Sequence, residues 1–414
     1  MNGLLYRTRA GILLPGRDRT SGQSRSDTGV SLRRGDLDFE VISQRHELDA
    51  LEQEWNALFE RAGLPHQMFQ TFNWTWHWCN AYYDDDARDG RQSLCILLAR
   101  HRGKLVMIWP LMRTRISGIT QLSWTGAPVS QYGDVLIEDA PQRGEWLRLA
   151  WRYIMETIRP DAICLEKVRD DAALSAIGDP MPFMTICEDV APYVPLSGID
   201  DFESYATRFS RRRRKTWNRL ERRMAESGPC SVDFLTEGDD AATTVKQALA
   251  FKREWLTARK LVSIPLSDVR FDRFFLAAAR STERPLGLVV TRVNCGDTTA
   301  AVEVAISCKG RHAAHIGAMN MQMEQFRPGT MQIRETLSHC IKTKMAVYDF
   351  FAPGDDYKFE WADQTTAVRS YVGASTLTGS LYITLYYRVL KPLAKKALAI
   401  LPRAFGRLVS RRTG

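Results

Sequence analysis

Apolar and polar positions fall into short blocks along this chain, and the order of the blocks repeats. Leu48, Leu51, Trp55 and Leu58 recur at helical spacing, and Gly63 with Pro65 ends the run. The stretch TFNWTWHWCNAYY follows, and its three tryptophans read as a helix packing aromatic rings into a core. Three apolar strand patterns come next, at 94–100, 105–112 and 119–126. A helical pattern at 144–157 and a strand at 161–168 complete the unit. The same order returns as strands at 286–292, 299–307 and 312–320, a helix at 330–343 and a strand at 346–351. Strand, strand, strand, helix, strand, twice over, is a duplication visible in pattern rather than in residue identity. It predicts an α/β (α+β) protein of two related lobes, 38–190 and 191–380, with a ligand site between or beside them.

Charge divides the chain differently. Residues 1–36 carry seven Arg against three Asp, and 381–414 carry eight Lys/Arg and no acid. The remainder is slightly acidic, so the net charge of +9 belongs to the ends. A nucleic-acid protein would carry its positive charge on a folded face, so none is expected as a partner. The segment 1–37, rich in Ser, Gly and Arg, reads as disordered. The segment 381–414 is both apolar and basic, interrupted by Pro392 and Pro402. It either lies on an anionic membrane surface or packs on the body with its cations solvated. No run of 18 apolar residues occurs, so no spanning helix is expected. The eight cysteines form no C-x-x-C pair and read as reduced core thiols, which points to the cytoplasm. His312 and His315 would face opposite sides of a strand, and no metal site is expected.

Candidate chemistry gathers in the second lobe. In QFRPGTMQIRETL a turn at Arg327, Pro328, Gly329 and Thr330 passes directly into a helix. Gly329 leaves the turn unobstructed, and the free first-turn N–H groups with Arg327 would hold a phosphate. The matching first-lobe junction starts its helix with Glu145, which repels phosphate. Glu303 lies between Ala301 and Ala305, on the face opposite Val302, Val304 and Ile306. It either has room for a ligand beside it or lies exposed at an edge. Asp349 ends an apolar strand, where it could act as a base or position an amine, and Lys358 and Glu360 flank aromatic residues beyond it.

The densest charge cluster is SRRRRKTWNRLERRM. Nine Lys/Arg and one acid lie between Arg208 and Arg223. Ser210 caps a helix and Gly228 stops it, with Phe209, Trp217, Leu220 and Met224 along one side. Arg213 falls within that apolar stripe, and Arg211 to Arg214 crowd the positive end of the helix. Both placements suit a bound anion, which makes Arg211, Arg213 and Arg214 candidates for holding the anionic part of a substrate.

Taken in order, FSRRRRKTWNRLERRM, FKREWLTARK and FRPGTMQIRETL…YDFFAPGDDYKFEW resemble the GNAT-superfamily acyltransferases of the CelD-like, BioF2-like group. The first lobe's GKLVMIWPLM…LSWTGAPVSQYGDVLI is similar to that group too. The resemblance covers about residues 40 to 380. It implies two tandem GNAT-like lobes, each a mixed sheet flanked by helices, and a link to cellulose or exopolysaccharide synthesis. The implied donor is acetyl-CoA or a larger acyl-CoA, and the implied acceptor a saccharide hydroxyl or an amine. Arg327, Pro328, Gly329 and Thr330 match the pyrophosphate loop. Asp349, Gly354, Tyr357, Lys358 and Trp361 match the acidic strand and the Y-K-x-x-W element. Glu303 or Asp349 is then the base, and Tyr357 the acid for the leaving thiolate. The loop has one glycine where the usual pattern has two, so a Fem-like aminoacyl donor stays open. A non-catalytic accessory protein of a polysaccharide-synthesis assembly is the other alternative.

Overall fold

The computed structural model describes residues 32–34, 36–83, 91–116, 118–177, 183–390 and 393. Five strands form one sheet, in the order β1 (Leu32–Arg34), β2 (Leu37–Ile42), β4 (Ile96–His101), β5 (Lys104–Trp109), β8 (Leu136–Ile137), while β3 (Gln92–Leu94) belongs to a second sheet. Leu32–Arg34 pairs with Leu37–Phe39, so strand structure begins inside the segment expected to be disordered. Arg33 and Arg34 mask that hairpin in the sequence. Residues 1–31 lie outside the described residues, as does nearly all of 391–414.

The second sheet has eleven strands. Besides β3 it holds β6 (Leu111–Ile116), β7 (Ile119–Trp124), β9 (Ala162–Arg169), β10 (Met184–Pro195), β11 (Cys230–Leu235) and β12 (Leu288–Cys295). It is completed by β13 (Thr298–Cys308), β14 (Arg311–Met319), β15 (Val347–Asp349) and β16 (Gln364–Ala374). Their order is β11-β12-β13-β14-β15-β10-β16-β9-β7-β6-β3. The second repeat unit lies whole in this sheet. In the first, the stretches expected as single strands at 94–100 and 105–112 each break between the two sheets, β3 from β4 and β5 from β6. Each unit closes on a parallel pair, β7 with β9 and β14 with β15.

The units also exchange strands. β10 follows β9 in sequence but pairs with β15, and β16 follows β15 but pairs with β9. The expected lobe boundary at 190/191 therefore falls inside β10, and one sheet runs through both lobes. Nothing in an apolar strand pattern states which strand it will pair with, so periodicity could not reveal the exchange.

Helices cover both faces. On one lie α1 (Phe72–Tyr82), α4 (Asp239–Ala258) and α5 (Val269–Arg280). Trp74 and Trp78 of α1 are buried there, in the same cluster as Phe274, Phe275, Val302, Val304 and Ile306. The tryptophan-rich stretch is core, as its pattern indicated. In the first lobe α2 (Arg143–Tyr153) packs its Trp146, Leu147 and Trp151 into a separate cluster. On the opposite face of the second lobe α3 (Arg211–Ala225) lies near α6 (Pro328–Lys342). Two short helices close the described chain, α7 (Asp356–Phe359) and α8 (Leu377–Ile383).

Candidate active site

β14 and β15 pair only at Arg311–Val347, His312–Tyr348 and Ala313–Asp349. Beyond Ala313, β14 runs on to Met319 with no partner strand on that side among the described residues. The register against β13 also slips here, with Val304 opposite Ile316 and Ala305 opposite Ala314, so His315 is the extra residue of a bulge. The strands part where the bulge bends β14. The gap is open, for Gly317 is exposed and a Cβ placed on it would meet nothing within 4 Å.

The first lobe handles the same place differently. After Ser123–Cys164 its strands also part, but the indole N–H of Trp124 donates to the Glu166 carbonyl at 3.0 Å. The Gly133 N–H donates to the Lys167 carbonyl at 3.1 Å, and a side chain at Gly133 would collide with Trp124. The chain's own residues 124–133 fill that gap. The two helix starts differ in the same sense. At Gly144 in α2 an added Cβ would meet the Ala176 carbonyl at 3.0 Å, whereas at Gly329 in α6 it would meet nothing.

The Arg327–Thr330 turn therefore begins α6 beside the open gap. Arg327 has a left-handed backbone (φ 53°), and Pro328 and Gly329 occupy the first helical positions. Thr330 does not cap the helix: its backbone N–H donates to the Arg327 carbonyl at 2.9 Å. α3 lies against this turn, and Trp217, Leu220 and Met224 share a groove with Phe326, Arg327 and Thr330.

Glu303 is buried, on the side of β13 opposite Val302, Val304 and Ile306, and meets Gln332 of α6 there. It is not at an edge, since β13 is an interior strand. His312 Nε2 lies 2.9 Å from Oε1, while Gln332 donates at 2.8 Å and the Tyr348 hydroxyl also donates to Oε2. Burial by itself would lower the His312 pKa, but Cys340 and Glu303 outweigh it and raise it to about 10.

Asp349 points to the other face. It accepts from Arg311 Nη1 at 2.7 Å, Arg169 Nη1 at 3.4 Å, the Tyr132 hydroxyl at 3.0 Å and the Phe351 N–H at 2.8 Å. Its oxygens are taken up by a brace to the first lobe, and this corrects its reading as a base. Burial, then the charge of Asp349, keeps Tyr132 protonated by raising its pKa well above the ordinary value.

Tyr357 is half exposed at the parted strands. Desolvation first, then the charges of Asp355 and Glu303, raise its hydroxyl pKa. Lys358, matched to the Y-K-x-x-W element and so a candidate for the catalytic set, is engaged with the backbone instead. Its ammonium donates to the carbonyls of Phe351 at 3.0 Å and Pro353 at 2.7 Å, which ties down the 351–355 turn. Gly354 fits tightly against Val190 and donates its N–H to Asp189 at 3.1 Å.

Two side chains here carried no functional signal in the sequence. Lys252 of α4 donates to the Gly317 carbonyl at 3.1 Å on the open edge. Burial first, and then the neighbouring Lys358 charge, lower its pKa. His315 Nε2 lies 2.7 Å from the Val129 carbonyl and must donate to it, and burial lowers the ring's pKa to about 4. His312 and His315 do face opposite sides of β14.

The arginine helix forms as expected, with the Ser210 hydroxyl accepting from the Arg213 N–H at 3.3 Å. The Arg213 side chain overturns its assignment to a substrate. Its guanidinium lies over the rings of Phe209 at 4.8 Å and of Trp217 and Trp361 at 5.4 Å, and donates to Glu360 Oε2 at 2.9 Å. Aromatic faces and a carboxylate within the protein account for a cation in the apolar stripe. Arg211, Arg212, Lys215 and Arg219 instead line a solvent-facing surface of α3, and Arg214 Nε is buried without a partner.

Residues 211–359 match the family model described as an acetyltransferase (GNAT) domain. Those residues are similar to a GNAT domain. The match covers the arginine helix, Glu303, the Arg327–Thr330 turn and Tyr357, and leaves the first lobe outside it. No curated protein sequence matches the chain. Among solved structures, FemX superposes with a TM-score of 0.53 at 11% identity, covering 80% of this chain and 97% of that one. A C-terminal domain of a putative lysylphosphatidylglycerol synthetase from Agrobacterium fabrum gives 0.47 at 10% identity, over 81% and 97%. A tandem GNAT protein from the clavulanic acid biosynthesis pathway gives 0.42 at 11%, over 82% and 99%. At such identities the likeness to FemX is one of fold, and it covers 80% of this chain.

Proposed function

We propose that this protein is an acyltransferase whose second lobe takes an acyl-CoA into the gap between β14 and β15. The contrast between the lobes carries the reading: one unit, built twice, is filled in the first copy and open in the second. The Arg327–Thr330 turn holds the pyrophosphate at the N-terminus of α6, on the Gly329 N–H and the Arg327 guanidinium, since Pro328 has no N–H and that of Thr330 donates to Arg327. The edge of β14 from Ala314 to Met319, paired to no strand among the described residues and met by Lys252 at Gly317, offers backbone partners to an extended thioester arm.

An amine or hydroxyl acceptor attacks the thioester carbonyl directly. The new C–N or C–O bond forms, the C–S bond breaks, and the thiolate takes a proton from the Tyr357 hydroxyl. Its raised pKa keeps Tyr357 protonated until then. Glu303 is the remaining carboxylate for the acceptor's proton, since Asp349 is engaged by two arginines. Arg211, on the solvent-facing side of α3, and Arg214, whose Nε has no partner among the described residues, hold an anionic part of a substrate. A saccharide or amine of the cell envelope is the acceptor class that the resemblance and the fold of FemX favour.

The test is calorimetry with acetyl-CoA and longer acyl-CoAs, followed by thiol release in the presence of amine and saccharide acceptors. Saturable binding and acceptor-dependent thiol release are expected. A folded protein that binds neither CoA nor any acyl-CoA would leave the open gap without this role.

A further inference from the structure

The chain ends its described part on a helix that presents leucines to solvent. Leu377, Leu381 and Leu385 follow one another at intervals of four, on α8 and on the wider helical turn Thr384–Leu390 that continues it. They are 91%, 69% and 50% exposed. Lone exposed leucines are ordinary, but a row of three along one side of a helix is not.

The helix is fixed in place from its inner side. Thr376 Oγ1 and Thr378 Oγ1 donate to Asp161 Oδ1 at 2.7 and 3.0 Å, and the Thr120 N–H donates to Oδ2 at 2.9 Å. These bonds hold the Asp161 carboxyl below its ordinary pKa, the Thr120 N–H contributing most. Gly379 lies against the Asp161 carbonyl so closely that any side chain there would collide with it. Ile383 is buried with Ala162, Cys164 and Val372. With Gly379 and Ile383 facing inward, the leucines cannot turn away from solvent by rotation of the helix.

The sequence that follows decides what covers them. Arg388 and the seven Lys/Arg of 391–414 occur with no Asp or Glu, interleaved with Leu, Ile and Phe. A second copy of the chain docking through the leucines would bring two such basic segments together, which repel. Nucleic acid would take the cations but has no use for the leucines. An anionic bilayer takes both, burying the leucines at the acyl boundary and attracting the cations. Among the described residues no helix is long and apolar enough to cross a membrane, so the helix would lie on the surface.

We propose that Leu377, Leu381 and Leu385 form a docking face for an anionic lipid bilayer, which the positive charge of the sequence after them attracts. The inference is independent of acyl transfer. The experiment is sedimentation of the full chain with vesicles of phosphatidylcholine alone and of phosphatidylcholine with phosphatidylglycerol. Wild type is expected to bind the anionic vesicles, and to lose most of that binding in high salt. L377S/L381S/L385S should bind at least tenfold more weakly with an unchanged Tm, because the replaced side chains are exposed. K391Q/K395Q/K396Q should weaken binding several-fold. Equal binding of the leucine variant and wild type, or equal binding to neutral vesicles, would overturn the proposal. So would a Tm that falls in the leucine variant, which would show that 391–414 folds over the stripe. A wild-type dimer converted to monomer by the leucine substitutions would assign the stripe to self-association instead.

Discussion

Glu303 and Asp349 lie on opposite faces of the same sheet. Tyr348 bonds Glu303 on the α6 side, and the next residue, Asp349, accepts from Tyr132 of the first lobe at 3.0 Å on the other. Two carboxylates of one lobe thus belong to separate tasks.

Substitution separates those tasks. Asp349→Asn leaves Arg311 without its buried partner, while Arg169 keeps Asp171, and loss of one member of a buried ion pair costs about 3–5 kcal/mol. The variant should therefore lose much of its stability in urea. Glu303→Gln should keep more of the fold while thiol release falls by about 10²–10³-fold, within the span of acid–base contributions. If Asp349→Asn is as stable as wild type and merely inactive, the brace is misassigned.

Arg213 and Arg211 should behave as opposites. Arg213→Gln removes a guanidinium from three rings and from Glu360, so a stability loss of about 1–2 kcal/mol is expected, with acyl-CoA affinity unchanged. Arg211→Gln, on the exposed side, should leave Tm alone and weaken binding of an anionic substrate. Chemical denaturation beside calorimetry reads both. A loss of affinity in Arg213→Gln at unchanged stability would return that residue to the substrate site.

At the donor turn, Gly329→Val adds bulk where no protein atom lies within 4 Å. Tm should move little, and acyl-CoA affinity should drop at least tenfold because the side chain stands at the N-terminus of α6 where the phosphates would lie. Unaltered affinity in the folded variant places the phosphates elsewhere.

His312 makes stability depend on pH. Its pKa is about 10 in the fold against about 6.5 in an unfolded chain. The protonated ring binds its partners, so its contribution is complete below about pH 6.5 and is lost as the pH rises through 10. Between pH 7 and 10 wild type should lose more stability than His312→Gln, as measured by Tm in matched buffers. Parallel curves for the two proteins would show that the ring is neutral in the fold.

Local regularities were legible in the residues. The double strand–helix pattern, the aromatic core of α1, the Ser210 cap and the side of β13 on which Glu303 lies all depend on neighbours within a few positions. Hydrophobic periodicity records which side of an element is buried, and it recorded these correctly. Other features rest on pairs far apart in the chain. The exchange of β10 and β16, the Tyr132–Asp349 contact, the Glu360 partner of Arg213 and the filling of one gap but not the other join residues up to 217 positions apart. No local pattern encodes such a partner, because a side chain's charge and size say what it needs but not which distant segment will supply it. Arg213 is the plainest case. The sequence by itself determined that a cation would stand in an apolar stripe, and only the tertiary structure decided that Trp361 and Glu360 would meet it there.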